Sequence, residues 1–273
     1  MTLRNFSLVV VVSALILIAA GGLVTSHEAG LAVPDWPLSY GRFFPPMVGN
    51  IFWEHGHRMI AGTVGILTLV LTLWVQFKEK RRWVRRLAWT AFLTVCLQAI
   101  LGGLTVIFLL PPAISIFHAC LGQTFFCLVV GLAYFLNTRK PPPPSERVQA
   151  LHPSLVFAAA LIYVQLILGA VIRHTNWVAA PHIFLAFVIA FAVARIILRT
   201  EEARSRRIRT RAVTLGALVI IQILLGFGAF IFTRIVARGY EPNLSEVFFA
   251  SAHQTVGALV LATAFLMSLM TSR

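Results

Sequence analysis

Eight stretches of roughly 18 or more residues with few charges take up most of this chain, at about 6–25, 55–77, 87–108, 115–136, 151–172, 181–198, 211–232 and 250–270. A helix rising about 1.5 Å per residue crosses a hydrocarbon layer of about 30 Å in some 20 residues, and a backbone in lipid has to satisfy its own hydrogen bonds. The expected fold is therefore all-α: a polytopic membrane protein with eight transmembrane helices. The chain has 273 residues, of which 59% are hydrophobic and 12% charged. That is about half the charge of a soluble domain, and the eight spans leave no room for one. The first run is long for a signal-peptide core and leads into "GGLVTSHEAG" with no small-x-small cleavage site, so it is expected to remain as the first helix.

The formal net charge of +14 raises the question of a nucleic-acid partner, and its distribution excludes one. Eighteen of the 23 Lys and Arg fall in the segments on one side of the spans. These are Arg4, "KEKRRWVRR" (78–86), Arg139, Lys140, Arg147, seven arginines from Arg195 to Arg211, and Arg273. The opposite segments hold Arg42, Arg173, Arg234 and Arg238, while Arg58 sits at a helix mouth. Such a bias is a topology signal that puts both termini in the cytoplasm, with some attraction to anionic lipid. Cys96, Cys120 and Cys127 all lie within spans and read as small buried hydrophobes.

The inner loop "NTRKPPPPSERVQ" (137–149) carries the proline run, which cannot continue a helix and reads as a stiff spacer. It divides the chain into a half of four helices at 1–140, a linker at 141–149 and a second four-helix half at 150–273. The halves repeat a pattern. "LQAILGG" (97–103), "VQLILGA" (164–170) and "IQILLGF" (221–227) each place a glutamine four residues before a glycine: Gln98–Gly102, Gln165–Gly169 and Gln222–Gly226. In the first span Leu17 and Gly21 hold the same places. The helix that follows each copy opens with a histidine: His57, His118, His182 or His253. An even number of spans per half gives both halves one orientation, related by an axis along the membrane normal.

Four residues after those histidines stand Ala61, Gly122, Ala186 and Gly257. Positions i and i+4 share a helix face, so each imidazole is expected beside a patch where a flat ligand could pack. Two histidines per half make two axial pairs for haem iron towards the outer leaflet. One histidine near a helix end is more often an interfacial or hydrogen-bonding residue, but four at equivalent places ask for a common reason. His27, His55, His152 and His174 lie outside the pattern and read as structural. Zinc suits the spacing less well, with the histidines on four helices of two repeated halves. A di-iron oxygenase would want clustered carboxylates.

Glu54 breaks the symmetry. It precedes His57 by three, where the second half has Ala179 before His182. One half thus carries an acid beside its histidine, which points to a reacting half and an electron-supplying half; the plain alternative is a solvent-facing helix-start glutamate. Arg58 could neutralise a carboxylate or a haem propionate, or meet headgroups. The outer loop 26–53, rich in Pro, Gly and aromatics, could cover a pocket mouth or form an interfacial aromatic belt.

"GGLVTSHEAGLAVPDWP" (21–37), "EHGHRMIAG" (54–62), "LQAILGGLTV" (97–106) and "HACLGQ" (118–123) resemble the haem A synthase family of bacteria and mitochondria, strongly in the first half and more loosely in the second. The resemblance implies a multi-pass inner-membrane enzyme that oxidises the C8 methyl of haem O to a formyl group, giving haem A for cytochrome oxidase assembly. It implies that His57 and His118 hold the iron of the substrate haem, that His182 and His253 hold a resident haem b, and that Glu54 is the essential acid. The electron donor would be a quinol or another membrane-associated reductant; haem O synthase and a second copy of the chain are candidate protein partners. Many members carry a cysteine pair in the first outer loop, and this chain does not, which argues against a thiol step there. The rivals are a di-haem b-type electron-transfer protein, which does not need Glu54, and a scaffold or transporter with structural histidines.

The charge asymmetry makes a direct prediction. Topology reporters fused at Lys80 or Arg206 will report a cytoplasmic location; a periplasmic report from either would move all four histidines to the inner leaflet.

Overall fold

The computed structural model describes residues 1–138, 144–175, 177–236 and 242–272. Arg139, Lys140, Arg238, Arg273 and the first three prolines of the linker, which the sequence reading used, lie outside them. The described residues form α1 (Leu3–Ser26), α2 (Asn50–Lys78), α3 (Arg82–Ile107), α4 (Pro112–Asn137), a single turn α5 (Glu146–Gln149), α6 (His152–Thr175), α7 (Ala179–Glu202), α8 (Arg206–Phe230) and α9 (Leu244–Thr271). A π-helical turn, Ile231–Val236, prolongs α8. Eight helices are long and apolar enough to cross a membrane, and they coincide with the eight apolar runs. The chain is thus a multi-pass membrane protein.

Local signals set the ends. Thr2, Ser145, Ser205 and Asn243 cap α1, α5, α8 and α9 by accepting a backbone N–H three residues on, and Pro112 opens α4, where its missing N–H costs nothing. The first three prolines of the linker, read as a stiff spacer, lie outside the described residues. From Ser145 onward the chain turns into α5, capped by the Ser145 hydroxyl with Glu146 in its first turn, and Val148 enters the core of the second half.

The exterior is apolar because its solvent is lipid: Val12, Ile66, Leu93, Phe187 and Leu224 are exposed, while Ser7, Thr68 and Thr72 are buried. The inward hydroxyls bond to backbone, as Thr72 Oγ1 does to the Ala88 carbonyl at 3.1 Å. Contacts run α1–α2–α3–α4 and back to α1, and α6–α7–α8–α9 and back to α6, which makes two rings. The rings meet where α1 packs on α9, α4 on α6 and α4 on α9. Exchanging α1 with α6 and α4 with α9 maps this set of contacts onto itself, as a two-fold relation between the rings would. Gly131 admits Phe265 at this seam, where a Cβ would stand 3.3 Å from the ring. Thr124 and Tyr163 share a 2.9 Å hydroxyl contact across it. At the basic end His152 Nδ1 bonds the Ser268 carbonyl at 3.0 Å, in the structural role expected of it.

Candidate functional site

Four histidines stand near the N-terminal ends of α2, α4, α7 and α9, at the face away from the basic loops, and one contact recurs at each. A Cβ on Gly21 would lie 3.1 Å from His57 Cε1; on Gly102, 3.1 Å from His118 Cε1; on Gly169, 3.2 Å from His182 Cε1; on Gly226, 2.8 Å from His253 Cε1. These separations are too close for any other residue to hold without displacing the ring. Each glycine is therefore a seat for the imidazole of the next long helix, pressed edge-on to the preceding backbone. The large group that these glycines admit to the backbone is the histidine.

The glutamines complete the unit. Gln98 Nε2 donates to the His118 carbonyl at 2.8 Å, and Gln165 Nε2 to the His182 carbonyl at 2.8 Å. Gln222 lies against His253 itself: its carbonyl accepts from His253 Nδ1 at 3.0 Å, and its Nε2 is 3.3 Å from His253 Nε2. The open patch expected four residues after each histidine is corrected at two copies. Gly122 is filled by the Gln98 amide, 3.0 Å from a Cβ there, and Gly257 by that of Gln222, 3.1 Å away. An amide in hydrocarbon needs a carbonyl partner more than a ligand needs a second flat wall.

Within the second half the rings of His182 and His253 stand edge-on to each other, with centroids 6.2 Å apart and planes inclined by 68°. His57 and His118 stand within electrostatic reach of each other in the first half. Zinc would need more: among the described residues no three His, Cys, Asp or Glu gather to hold an ion.

Eight buried side-chain polar atoms among the described residues lack a partner, and six belong to this repeat: Nδ1 of His57, His118 and His182, and Oε1 of Gln98, Gln165 and Gln222. Buried groups of this kind are rarely left unpaired without a functional reason. A metal-ligating histidine usually donates its second ring nitrogen to a carbonyl, which fixes its tautomer, and His253 does so to Gln222.

Glu54 is neither solvent-facing nor bonded to His57. It is 4% exposed, with Oε2 accepting the Val33 amide at 2.8 Å and Oε1 in a short ion pair with Arg58 one turn on. Arg58 also donates from Nη1 to the carbonyls of Asp35 and Leu38, both at 2.7 Å. Two acid-base partners thus clasp loop 26–53 onto α2. His55, which the sequence reading left as structural, joins them through Ser39 Oγ at 2.8 Å. Asp35 orders the loop by accepting the Tyr40 amide at 2.6 Å and the Gly41 amide at 2.8 Å, and the Gly41 bond above all holds its carboxyl below the usual Asp pKa. His27 stacks on Trp53 at 4.0 Å and closes the two ends of the loop together. Trp36 lies on Gly103, and Leu110 against Gly30, so the loop roofs the outer end of the first half. Phe43 and Phe44, at 76% and 79% exposure, point outward as the belt reading expected. No spacing signal marked this clasp, because Arg58 reads backbone carbonyls 20 and 23 residues away.

Residues 4–181 match the family model described as cytochrome oxidase assembly protein, COX15-CtaA. The chain is similar to proteins named "Heme A synthase" from Exiguobacterium sibiricum (30% identical over 64% of this chain and 60% of the relative) and from Bacillus pumilus (30% over 67% and 62%). A third, from Bacillus licheniformis, is 27% identical over 64% of this chain and 59% of the relative. The matched part of the chain thus spans about 60% of the length of these curated relatives.

Replacing Arg58 with Met removes the guanidinium while leaving Arg42 as a trypsin site in the roof loop. Cleavage after Arg42 in detergent-solubilised protein is expected to speed up more than about tenfold, as a loss of about 1.4 kcal/mol of local stability would produce. An unchanged rate would show that the loop does not depend on this clasp.

Proposed function

Because the chain belongs to the cytochrome oxidase assembly protein family, we propose that it is a haem A synthase, converting the C8 methyl of haem O into the formyl group of haem A. The observation that carries this reading is the two matched pairs of histidine seats, of which, among the described residues, the first alone has a buried acid and a loop packed over it. Names borne by the relatives point the same way.

On this reading His57 and His118 hold the iron of the substrate haem, with His118 kept in place through the Gln98 bond to its carbonyl. A methyl group becomes a formyl group by losing four electrons: two successive hydroxylations, each drawing one oxygen atom from O2 and two electrons from a donor, give a geminal diol that loses water. Glu54 handles protons or orients the substrate near the reacting methyl. Its carboxylate is already screened from water by loop 26–53, and the Arg58 pair and Val33 amide set where its oxygens stand. His182 and His253, whose rings lie 6.2 Å apart in the second half, would hold a resident haem b. When bound, that haem supplies one-electron transfer between an external donor, a quinol or another membrane reductant, and the first half. The distribution of basic residues supports a topology with both termini on the cytoplasmic side of the inner membrane and the histidines towards the outer leaflet.

The test is expression in a host that makes haem O but no haem A, followed by chromatography of extracted haems. The unmodified protein should yield haem A. Glu54→Ala should keep haem b and cut haem A about a hundredfold or more, the usual worth of a positioned acid-base group. Normal yield from that variant would remove Glu54 from the chemistry. Two tightly held haems b with no oxidised product from the unmodified protein would instead favour the electron carrier.

A further inference from the structure

We propose that Arg173 anchors a propionate of the haem held by His182 and His253, at the seam between the two halves; this rests on the haem reading above. Arg173 lies on α6 four residues beyond Gly169, so it shares the face that seats His182, one turn nearer the outer end. The corresponding residues after Gly21, Gly102 and Gly226 are Thr25, Val106 and Phe230. Of the four copies, this one alone has a cation.

The side chain reaches across the seam. Arg173 Nη2 donates to Ser26 Oγ of α1 at 3.0 Å, and Ser26 Oγ also accepts from Ser251 Oγ of α9 at 3.0 Å. Ser251 is two residues before His253. The guanidinium thus stands on the helix that seats His182 and is linked through Ser26 to the turn of α9 that carries His253.

Its bonding is incomplete. A guanidinium has five N–H donors, and the hydrogen bond of this part-buried one is to a neutral hydroxyl. The ion pairs among the described residues are Arg58–Glu54, Arg81–Glu79 and Arg209–Glu201, so no acid stands within 4.0 Å of Arg173. Glu246 and Glu28 act on it only from farther off. A part-buried guanidinium at the end of α6, with donors to spare and no acid beside it among the described residues, is suited to take an anion. A planar fork with paired donors matches a carboxylate. A haem gripped by the neighbouring histidines brings two carboxylates with it.

The experiment uses purified full-length protein from a haem-limited host, titrated with protohaem and with its dimethyl ester, which lacks the carboxylate charge. The unmodified protein should prefer the free acid by about tenfold or more, the scale of one charge-assisted contact. Arg173→Gln should lose that preference and show a lowered haem midpoint potential, because a positive charge near the iron has gone. Ser26→Ala, which leaves the guanidinium in place, should keep both. Equal affinity of the unmodified protein for the two ligands would overturn the anchor without any variant, as would an Arg173→Gln protein with unchanged preference and potential. If the unmodified protein takes up no haem, or takes it up independently of His182 and His253, the haem reading fails and this proposal with it.

Discussion

An imidazole laid against a helix that has no side chain at the point of contact is the interaction from which the rest of this structure follows. It occurs four times, at Gly21–His57, Gly102–His118, Gly169–His182 and Gly226–His253. Each copy fixes the separation of two sequential helices and the direction of one ring. With helices closed into a ring, the second and fourth face each other across its centre, so two seated histidines per half must meet. The amides of Gln98 and Gln165 then hold the backbone of the following histidine, and Gln222 holds His253 itself. In lipid these bonds have no water to compete with them, and leaving them unmade would be costly.

Upon this symmetric frame the chain places two asymmetric features. In the first half a buried Glu54–Arg58 pair binds a long outer loop by its backbone. A buried pair of charges is weak support for stability but a strong constraint on geometry, since breaking it strands the partner. In the second half Arg173, on α6, donates to Ser26 Oγ of the first half, which also accepts from Ser251 Oγ of α9. Among the described residues the buried acid and the packed outer loop belong to the first half, and Arg173 to the second.

Much of this was legible in the sequence, for identifiable reasons. Span count follows from run length, a one-dimensional property, and all eight runs became helices. The Gln–Gly–His spacing was visible because helical neighbours recur at fixed intervals. Its meaning was only half legible: the glycines accommodate the histidines, and Gly122 and Gly257 accommodate glutamines. Contacts between helices depend on rotation about their axes, which spacing alone does not supply. Loop 26–53 was the least legible part. Arg58 is satisfied by carbonyls of Asp35 and Leu38, and every residue type offers a carbonyl. Arg173 was hidden for another reason, since a count of outer charges treats a part-buried guanidinium and a surface one alike.

The central claim is that two separate histidine pairs each brace one haem, and the paramagnetic resonance spectrum of the oxidised purified protein tests it most directly. The account predicts a low-spin ferric signal of bis-imidazole type that disappears in His182→Met and in His253→Met and persists in His57→Met and His118→Met. A signal that survives both second-half substitutions, or is lost equally with any of the four histidines, would contradict it.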